Sequence, residues 1–310
     1  MQQTTRAYLV YEKVFHVRQG AIEELSLPAV HEQDKWRTLG DDFLSCEVSC
    51  GLSVTIGLNS VALSRITSAV RITIVMPAFN EEKLITGALR HVQTALVAFT
   101  RRGWDTELIV CDNNSTDRTA ELARSAGAQV VFEPINSIAG ARNRGARAAT
   151  GDWLVFSDAD SYPSEGLFDD VANAIASGRC LAGSCNGKLD ERHFRADCIM
   201  AFWNWASRKR RLLAGFFIFC ETKVFWELGG FDSRLYMSED IDLSVRLRKP
   251  ARAQGKEVVI LNQHPILTSA RKVRLYGLGK YLWFWVKTAI TFGGTLKDPK
   301  ACTLWYDGKR

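Results

Sequence analysis

The sequence predicts an α/β fold: a mostly parallel central sheet with helices on both faces, beginning near residue 70. Two observations point to it. Short β-branched apolar runs alternate with helix-length amphipathic segments, and polar residues cluster directly after those runs. Composition agrees, because 310 residues that are 46% hydrophobic and 24% charged can bury a sizeable core.

The elements follow in order. Ile72-Thr73-Ile74-Val75-Met76 reads as a buried parallel strand that Pro77 stops. Asn80 is placed as a helix N-cap, with Glu81 and Glu82 in the first turn against the positive end of the dipole. Ile85, Leu89, Val92, Leu96 and Phe99 share one face of that helix, and Gly103 ends it. Residues 108–111 read as a second strand, 112–116 as a polar turn, and 117–126 as a helix closed by Gly127. Residues 129–132 make a third strand. Ser137 caps a helix through residue 149, stopped by Gly151, and 153–156 make a fourth strand. Such alternation implies right-handed crossovers, with ligands beyond the carboxyl ends of the strands. Residues 1–68 show weak periodicity and no cap-to-stop helix, so a poorly structured extension is expected there, with the folded domain over 69–310.

The bulk numbers narrow the partners. A net charge of +6 suits anionic ligands, but no basic arm, zinc finger or aromatic RNA-binding signature is present, so no nucleic acid is expected. The eight cysteines form no CxxC pair, and several lie in apolar stretches, as reduced thiols do. A cytoplasmic protein is expected, with no secretory signal and no apolar run near the ~20 residues that span a bilayer. Peripheral contact with the inner face of the membrane fits the mild basic excess.

Three strand ends carry candidate chemistry. Pro77-Ala78-Phe79-Asn80-Glu81 follows the first strand and is not a dinucleotide-binding glycine loop. Asp112-Asn113-Asn114-Ser115-Thr116-Asp117 follows the second; Asp112 there can accept a hydrogen bond from a base or ribose, while its neighbours suit helix capping. Asp158-Ala159-Asp160 follows the fourth. Two carboxylates one residue apart beyond a buried strand are costly unless a cation joins them, and oxygen ligands suit Mn²⁺ or Mg²⁺. A solvated Asx turn is the plainer alternative.

The order of these segments, with Gly140-Ala141-Arg142-Asn143-Arg144-Gly145 between them, resembles the family-2 glycosyltransferases of the GT-A fold. Gly229-Gly230-Phe231-Asp232 and Ser238-Glu239-Asp240-Ile241-Asp242-Leu243 resemble the family's "GGFD" and "ED" motifs. The resemblance implies a nucleotide-diphospho-sugar donor, commonly a UDP-sugar. Residues matching Pro77, Ala78, Phe79, Asn80 and Glu81 line the base and ribose in that family, and the acid matching Asp112 binds the base. Asp158 and Asp160 match its DXD pair, the second holding the metal and the first assisting the metal or the ribose. Asp240 matches the general base and Glu239 its acceptor-side neighbour. Arg142 and Arg144 lie where relatives approach the diphosphate, and His264, after a strand over 258–261, where many place a histidine near the metal. The first turn of a helix accounts for Glu239 and Asp240 equally well.

The family's processive synthases carry a Q-x-x-R-W motif and several membrane spans, which this sequence lacks, so transfer of a single sugar is expected. One base, with attack opposite the leaving group, implies inversion. The aromatic stretches 200–220 and 281–286 sit near the basic runs 208–211 and 271–274. They suit an apolar, anionic acceptor such as a lipid-linked phosphate, an anionic membrane surface, or plain core packing beside a solvated charged face. A glycan acceptor also remains open. One rival enzyme, a sugar-phosphate nucleotidyltransferase, needs a glycine-rich basic loop after the first strand. The other rival reading is a nucleotide-sugar-binding regulator or inactive partner subunit, which has no need of a base.

Overall fold

The structure is a computed structural model. It describes residues 70–271 throughout, Gly279, 294–298 and Cys302, and the backbone of six strands between residues 7 and 57. The chain divides into two compact units, Met1–Ala69 and Val70–Arg310.

The first unit is built of strands. They are β1 (Ala7–Val10), β2 (Lys13–Arg18), β3 (Ala21–Leu25), β4 (Trp36–Thr38), β5 (Phe43–Glu47) and β6 (Ser53–Gly57), in the order β3-β2-β1-β6-β5-β4. In place of the structureless extension expected from weak periodicity, the backbone here is drawn into short hairpins. Strands of three to six residues offer too few alternations for a period of two to stand out.

The second unit has an eight-stranded sheet. Its strands are β7 (Arg71–Ala78), β8 (Asp105–Asp112), β9 (Gln129–Phe132), β10 (Trp153–Ser157), β11 (Ser161–Tyr162), β12 (Cys180–Leu189), β13 (Phe217–Glu221) and β14 (Glu257–Thr268). The order is β11-β14-β12-β13-β10-β7-β8-β9. The β10–β7, β7–β8, β8–β9 and β12–β14 pairs are parallel, whereas β13 runs antiparallel between β10 and β12. The parallel half matches the sequence pattern, since β7 and β10 are apolar on both faces and both faces are covered.

Local differences from the sequence reading have physical causes. Pro77 does not stop β7; it pairs with Cys111 in β8 while pairing with β10 has ended at Val75. A proline costs no ladder bond where one side is already unpaired. Asn80 is not a helix cap: it sits at φ +52°, and helix α1 (Ile85–Ala95) begins five residues later, followed by α2 (Val97–Thr100). Helix α3 covers Thr119–Ser125. Ser137 does cap α4 (Ile138–Ala148), accepting from the Gly140 N–H at 3.1 Å. Close packing explains the small residues of α4, since a Cβ on Gly145 would lie 2.4 Å from Val75 Cγ1.

Helices α5 (Glu165–Ala176), α6 (Phe194–Arg210), α7 (Thr222–Glu227) and α8 (Glu239–Ala253) complete the unit. One apolar cluster packs α1, α2 and α5 against the sheet, and the other packs β10, β12 and β13 against α4, α7 and α8. Among the described residues no helix is long and apolar enough to cross a membrane. Cys111, Cys180, Cys185, Cys220 and Cys302 are buried free thiols, and burial pushes Cys111 and Cys180 up to about 12.

Candidate active site

The ends of β7, β8 and β10 converge, and the loops leaving them are laced together. The Asn80 N–H donates to Ser115 Oγ at 3.0 Å, and Asn80 Oδ1 accepts from the Thr116 N–H at 2.8 Å. The Glu81 N–H donates to Thr119 Oγ1 at 2.7 Å, and buried Asp112 accepts from the Ser115 N–H at 3.1 Å. The polar turn after β8 thus braces the segment after β7 instead of capping a helix. Ala78 is buried at the floor, while Pro77, Phe79 and Asn80 are half-buried around it.

Arg142, on α4, is 2% exposed and organises the acidic residues. Its Nη2 donates to Asp158 Oδ1 at 2.8 Å and to the Gly215 carbonyl at 2.6 Å, and its Nη1 donates to Glu239 Oε1 at 2.6 Å. The ring of Phe231 lies 5.4 Å beneath the guanidinium. Burial alone would lower its pKa, but Asp158 and Glu239 more than offset that and raise it. The sequence reading had Arg142 reaching a diphosphate. Here both terminal nitrogens are taken up by protein oxygens, because the helix face that carries Arg142 packs inward. Arg144, two positions along, is exposed.

Asn143, next on the same helix, fixes the Gly229-Gly230-Phe231 turn. Its Nδ2 donates to the Phe231 carbonyl at 2.8 Å, and its Oδ1 accepts the Phe231 N–H at 2.9 Å. Gly230, at φ +72°, is required there: a Cβ would fall 2.7 Å from Asn143 Oδ1. This turn delivers Ser238, at φ +65°, and then α8 with Glu239 and Asp240 at its start. Leu243 and Leu247, one and two turns further on, continue the buried face of α8 that Glu239 begins.

Asp240 is half-buried and held by the backbone N–H of Ile241 at 2.8 Å. Burial, then the like charge of Glu239, pushes its pKa up to about 7 from 3.8; Arg142 and the backbone donors only partly counter this. Gly215 presses close, since a Cβ there would lie 3.0 Å from Asp240 Oδ2.

Asp160 is 6% exposed, and its partner comes from the far edge of the sheet. β14 runs through to Thr268 and pairs with β11, which directly follows Asp160. The Ser269 N–H donates to the Asp160 carbonyl at 3.0 Å, and Arg271 Nη2 reaches Asp160 Oδ2 at 3.5 Å. The same guanidinium grips Glu81 with both terminal nitrogens, at 2.9 and 2.8 Å. Arg271 lay in a basic run that the sequence offered to a membrane or to solvent; it is buried. His264 goes elsewhere. It lies inside β14, not after it, and its Nδ1 sits 3.0 Å from Asp170 Oδ2 on α5. The expected histidine beside the DXD pair is therefore replaced by Arg271, because the strand continues past 261.

Five carboxylates, Glu81, Asp158, Asp160, Glu239 and Asp240, thus share two guanidiniums, a formal excess of three negative charges that falls to two when Asp240 is protonated. Among the described residues no three His, Cys, Asp or Glu side chains form a ready metal-binding group.

The same architecture occurs in solved glycosyltransferases. The chain is similar to Staphylococcus aureus TarS 1–349, at 18% identity and TM-score 0.51, covering 76% of this chain and 68% of that one. It is also similar to the mannosyltransferase PcManGT of Pyrobaculum calidifontis, solved with GDP-Man and Mn²⁺, at 20% identity and TM-score 0.52, covering 78% and 74%. A third likeness, at 19% identity and TM-score 0.51, covers 77% of this chain and 83% of the glucosyl-3-phosphoglycerate synthase of Mycobacterium tuberculosis, solved with Mn²⁺, UDP and phosphoglyceric acid. The fold is GT-A. Residues 73–226, just under half of the chain, match the sequence model described as glycosyl transferase family 2. An uncharacterised glycosyltransferase of M. tuberculosis is 29% identical over 143 residues, 45% of this chain and 61% of that relative. One from Rickettsia typhi is 32% identical over 98 residues, 32% of this chain and 30% of the relative. The chain thus spans less than two thirds of the length of these relatives.

The Arg142 arrangement makes a stability prediction. Arg142→Ala leaves Glu239 and Asp158 without their counter-charge and is expected to cost about 3–5 kcal/mol in urea unfolding. Arg142→Lys, a point charge without the planar fork, should recover only part. A loss below about 1 kcal/mol for the alanine variant would place the pairing among solvated surface bridges.

Proposed function

We propose that the chain transfers one sugar from a nucleotide-diphosphate sugar, a UDP-sugar, to an acceptor hydroxyl with inversion. The observation that carries this reading is the acidic network at the carboxyl ends of β7 and β10. A dianionic diphosphate cannot enter a site with excess negative charge unless a cation accompanies it. The donor set fits a divalent ion: Asp160 and Asp158 would hold Mn²⁺ or Mg²⁺, with the diphosphate supplying further oxygens. Bound there, the ion would stabilise charge on the departing diphosphate. The Mn²⁺ complexes of the mannosyltransferase and of the glucosyl-3-phosphoglycerate synthase support this assignment.

The chain's own residues divide the remaining work. Pro77, Ala78, Phe79, Asn80 and Asp112 receive base and ribose. Glu81 lies at the edge of that pocket. Asp240 takes the proton of the acceptor hydroxyl as its oxygen bonds to the anomeric carbon and the carbon–diphosphate bond breaks. A carboxylate with a pKa of about 7 is matched to that transfer at neutral pH. Glu239, tied to Arg142, keeps Asp240 basic through its like charge. Attack opposite the leaving group inverts the centre.

On the acceptor side, α6 exposes Phe194, Phe202 and Trp205 at 83, 67 and 53%. Spacings of eight and three put them on one stripe, and Arg208, Lys209 and Arg210 follow at its end, with Lys209 6.0 Å over the Trp205 ring. The chain leaves α6 for Gly215, beside Asp240. This favours an acceptor presented at an anionic lipid surface over a free glycan.

Two measurements test the reading. Asp240→Asn is expected to keep UDP affinity while lowering turnover roughly 10²–10⁴-fold. In the unsubstituted protein, turnover should fall as pH drops below about 7. Asp240 also favours folding below pH 3.8, a contribution lost as pH rises through about 7, and the asparagine variant should lack that slope. Loss of UDP binding in Asp240→Asn would instead make Asp240 part of the donor pocket. For the acceptor face, sedimentation with phosphatidylglycerol vesicles should be strong, with phosphatidylcholine vesicles weak, and both absent in the Phe202→Ser, Trp205→Ser double variant. Indifference of the unsubstituted protein to phosphatidylglycerol would favour a glycan acceptor.

A further inference from the structure

Arg271 ties together three chain segments: Glu81 after β7, Asp160 after β10, and the end of β14. Its side chain is 8% exposed, and its Nε is buried with no hydrogen-bond partner among the described residues. Stability alone is a weak reason for such a group, since a buried ion pair is often no better than an apolar packing of the same volume. What distinguishes Arg271 is the identity of its partners. It neutralises Asp160, the deepest carboxylate of the DXD pair, and does so loosely, at 3.5 Å against 2.8 Å for Glu81.

A guanidinium and a divalent cation cannot both sit against one carboxylate without strong mutual repulsion. An arriving diphosphate changes the balance, because it offers the planar guanidinium a doubly charged partner with paired acceptor oxygens. We propose that Arg271 is a built-in counter-ion that guards Asp160 from divalent metal until the donor's diphosphate draws it away. Metal and donor then bind interdependently, and each raises the affinity of the other by the same factor. Arg271 is on this view a positioning residue. The inference rests on the nucleotide-sugar reading above.

Binding of Mn²⁺, followed by the electron paramagnetic resonance of the free ion with and without UDP, tests it apart from turnover. The unsubstituted protein should bind Mn²⁺ weakly alone and at least about fivefold more tightly with saturating UDP, within the usual range of coupling. Arg271→Gln should bind Mn²⁺ more tightly than the unsubstituted protein when UDP is absent, and the gain on adding UDP should shrink. Glu81→Gln leaves Asp160 as the only carboxylate in contact with Arg271 among the described residues and should shift Mn²⁺ affinity the opposite way, which keeps the test open if Arg271→Gln does not fold. Equal Mn²⁺ affinity of the unsubstituted and Arg271→Gln proteins without UDP overturns the guard role. Absence of any UDP binding to the unsubstituted protein, with or without Mn²⁺, overturns the nucleotide-sugar reading instead.

Discussion

A buried guanidinium cannot sit among apolar side chains without anionic partners, and Arg142 imposes that requirement on everything around it. Its position on α4 is fixed by the glycine contact with β7, so its partners must come to it. Asp158 arrives from the end of β10, Glu239 from the start of α8, and the Gly215 carbonyl from the loop before β13. Asn143, one residue on, holds the Gly230–Phe231 turn that sets where α8 begins. Two adjacent side chains of one helix therefore fix the positions of Asp158, Glu239 and the start of α8.

That gathering has an electrostatic consequence. Arg142 compensates two carboxylates, Arg271 two more, and Asp240 is left to burial and the field of Glu239, which raises its pKa. On the proposed reading, the same crowding that suits Asp240 to act as a base leaves the donor side short of positive charge. The proposed base and the proposed need for a cation thus share one origin: more carboxylates than guanidiniums in a volume with little water to screen them.

Much of this was legible in the sequence, and the omissions have a common cause. Buried apolar runs mark β7, β8 and β10, and the rule that ligands gather beyond strand ends led directly to Asp112, Asp158 and Asp160. The rule failed at β14 only because the strand was ended too early. Residues 262–268 alternate poorly, with Asn262, Gln263 and His264 exposed, so the apolar signal fades after Leu261 although the backbone pairing continues to Thr268. Ending the strand at 261 selects His264; ending it at 268 selects Arg271. Arg142 was found but its role was not, because no periodicity distinguishes an arginine on the buried face of a glycine-rich helix from one in solvent. The strands of the first unit were too short to be heard above noise.

Release of UDP from UDP-sugars by the purified chain, in Mn²⁺ and in excess chelator, is the most direct measurement of whether this acidic network is a donor site. Release that requires the divalent ion and quickens when a suitable acceptor is supplied is the expected result. Binding of UDP with no release from any nucleotide sugar would leave a binding subunit, and release that the chelator does not slow would mean that the charge excess is met without a metal.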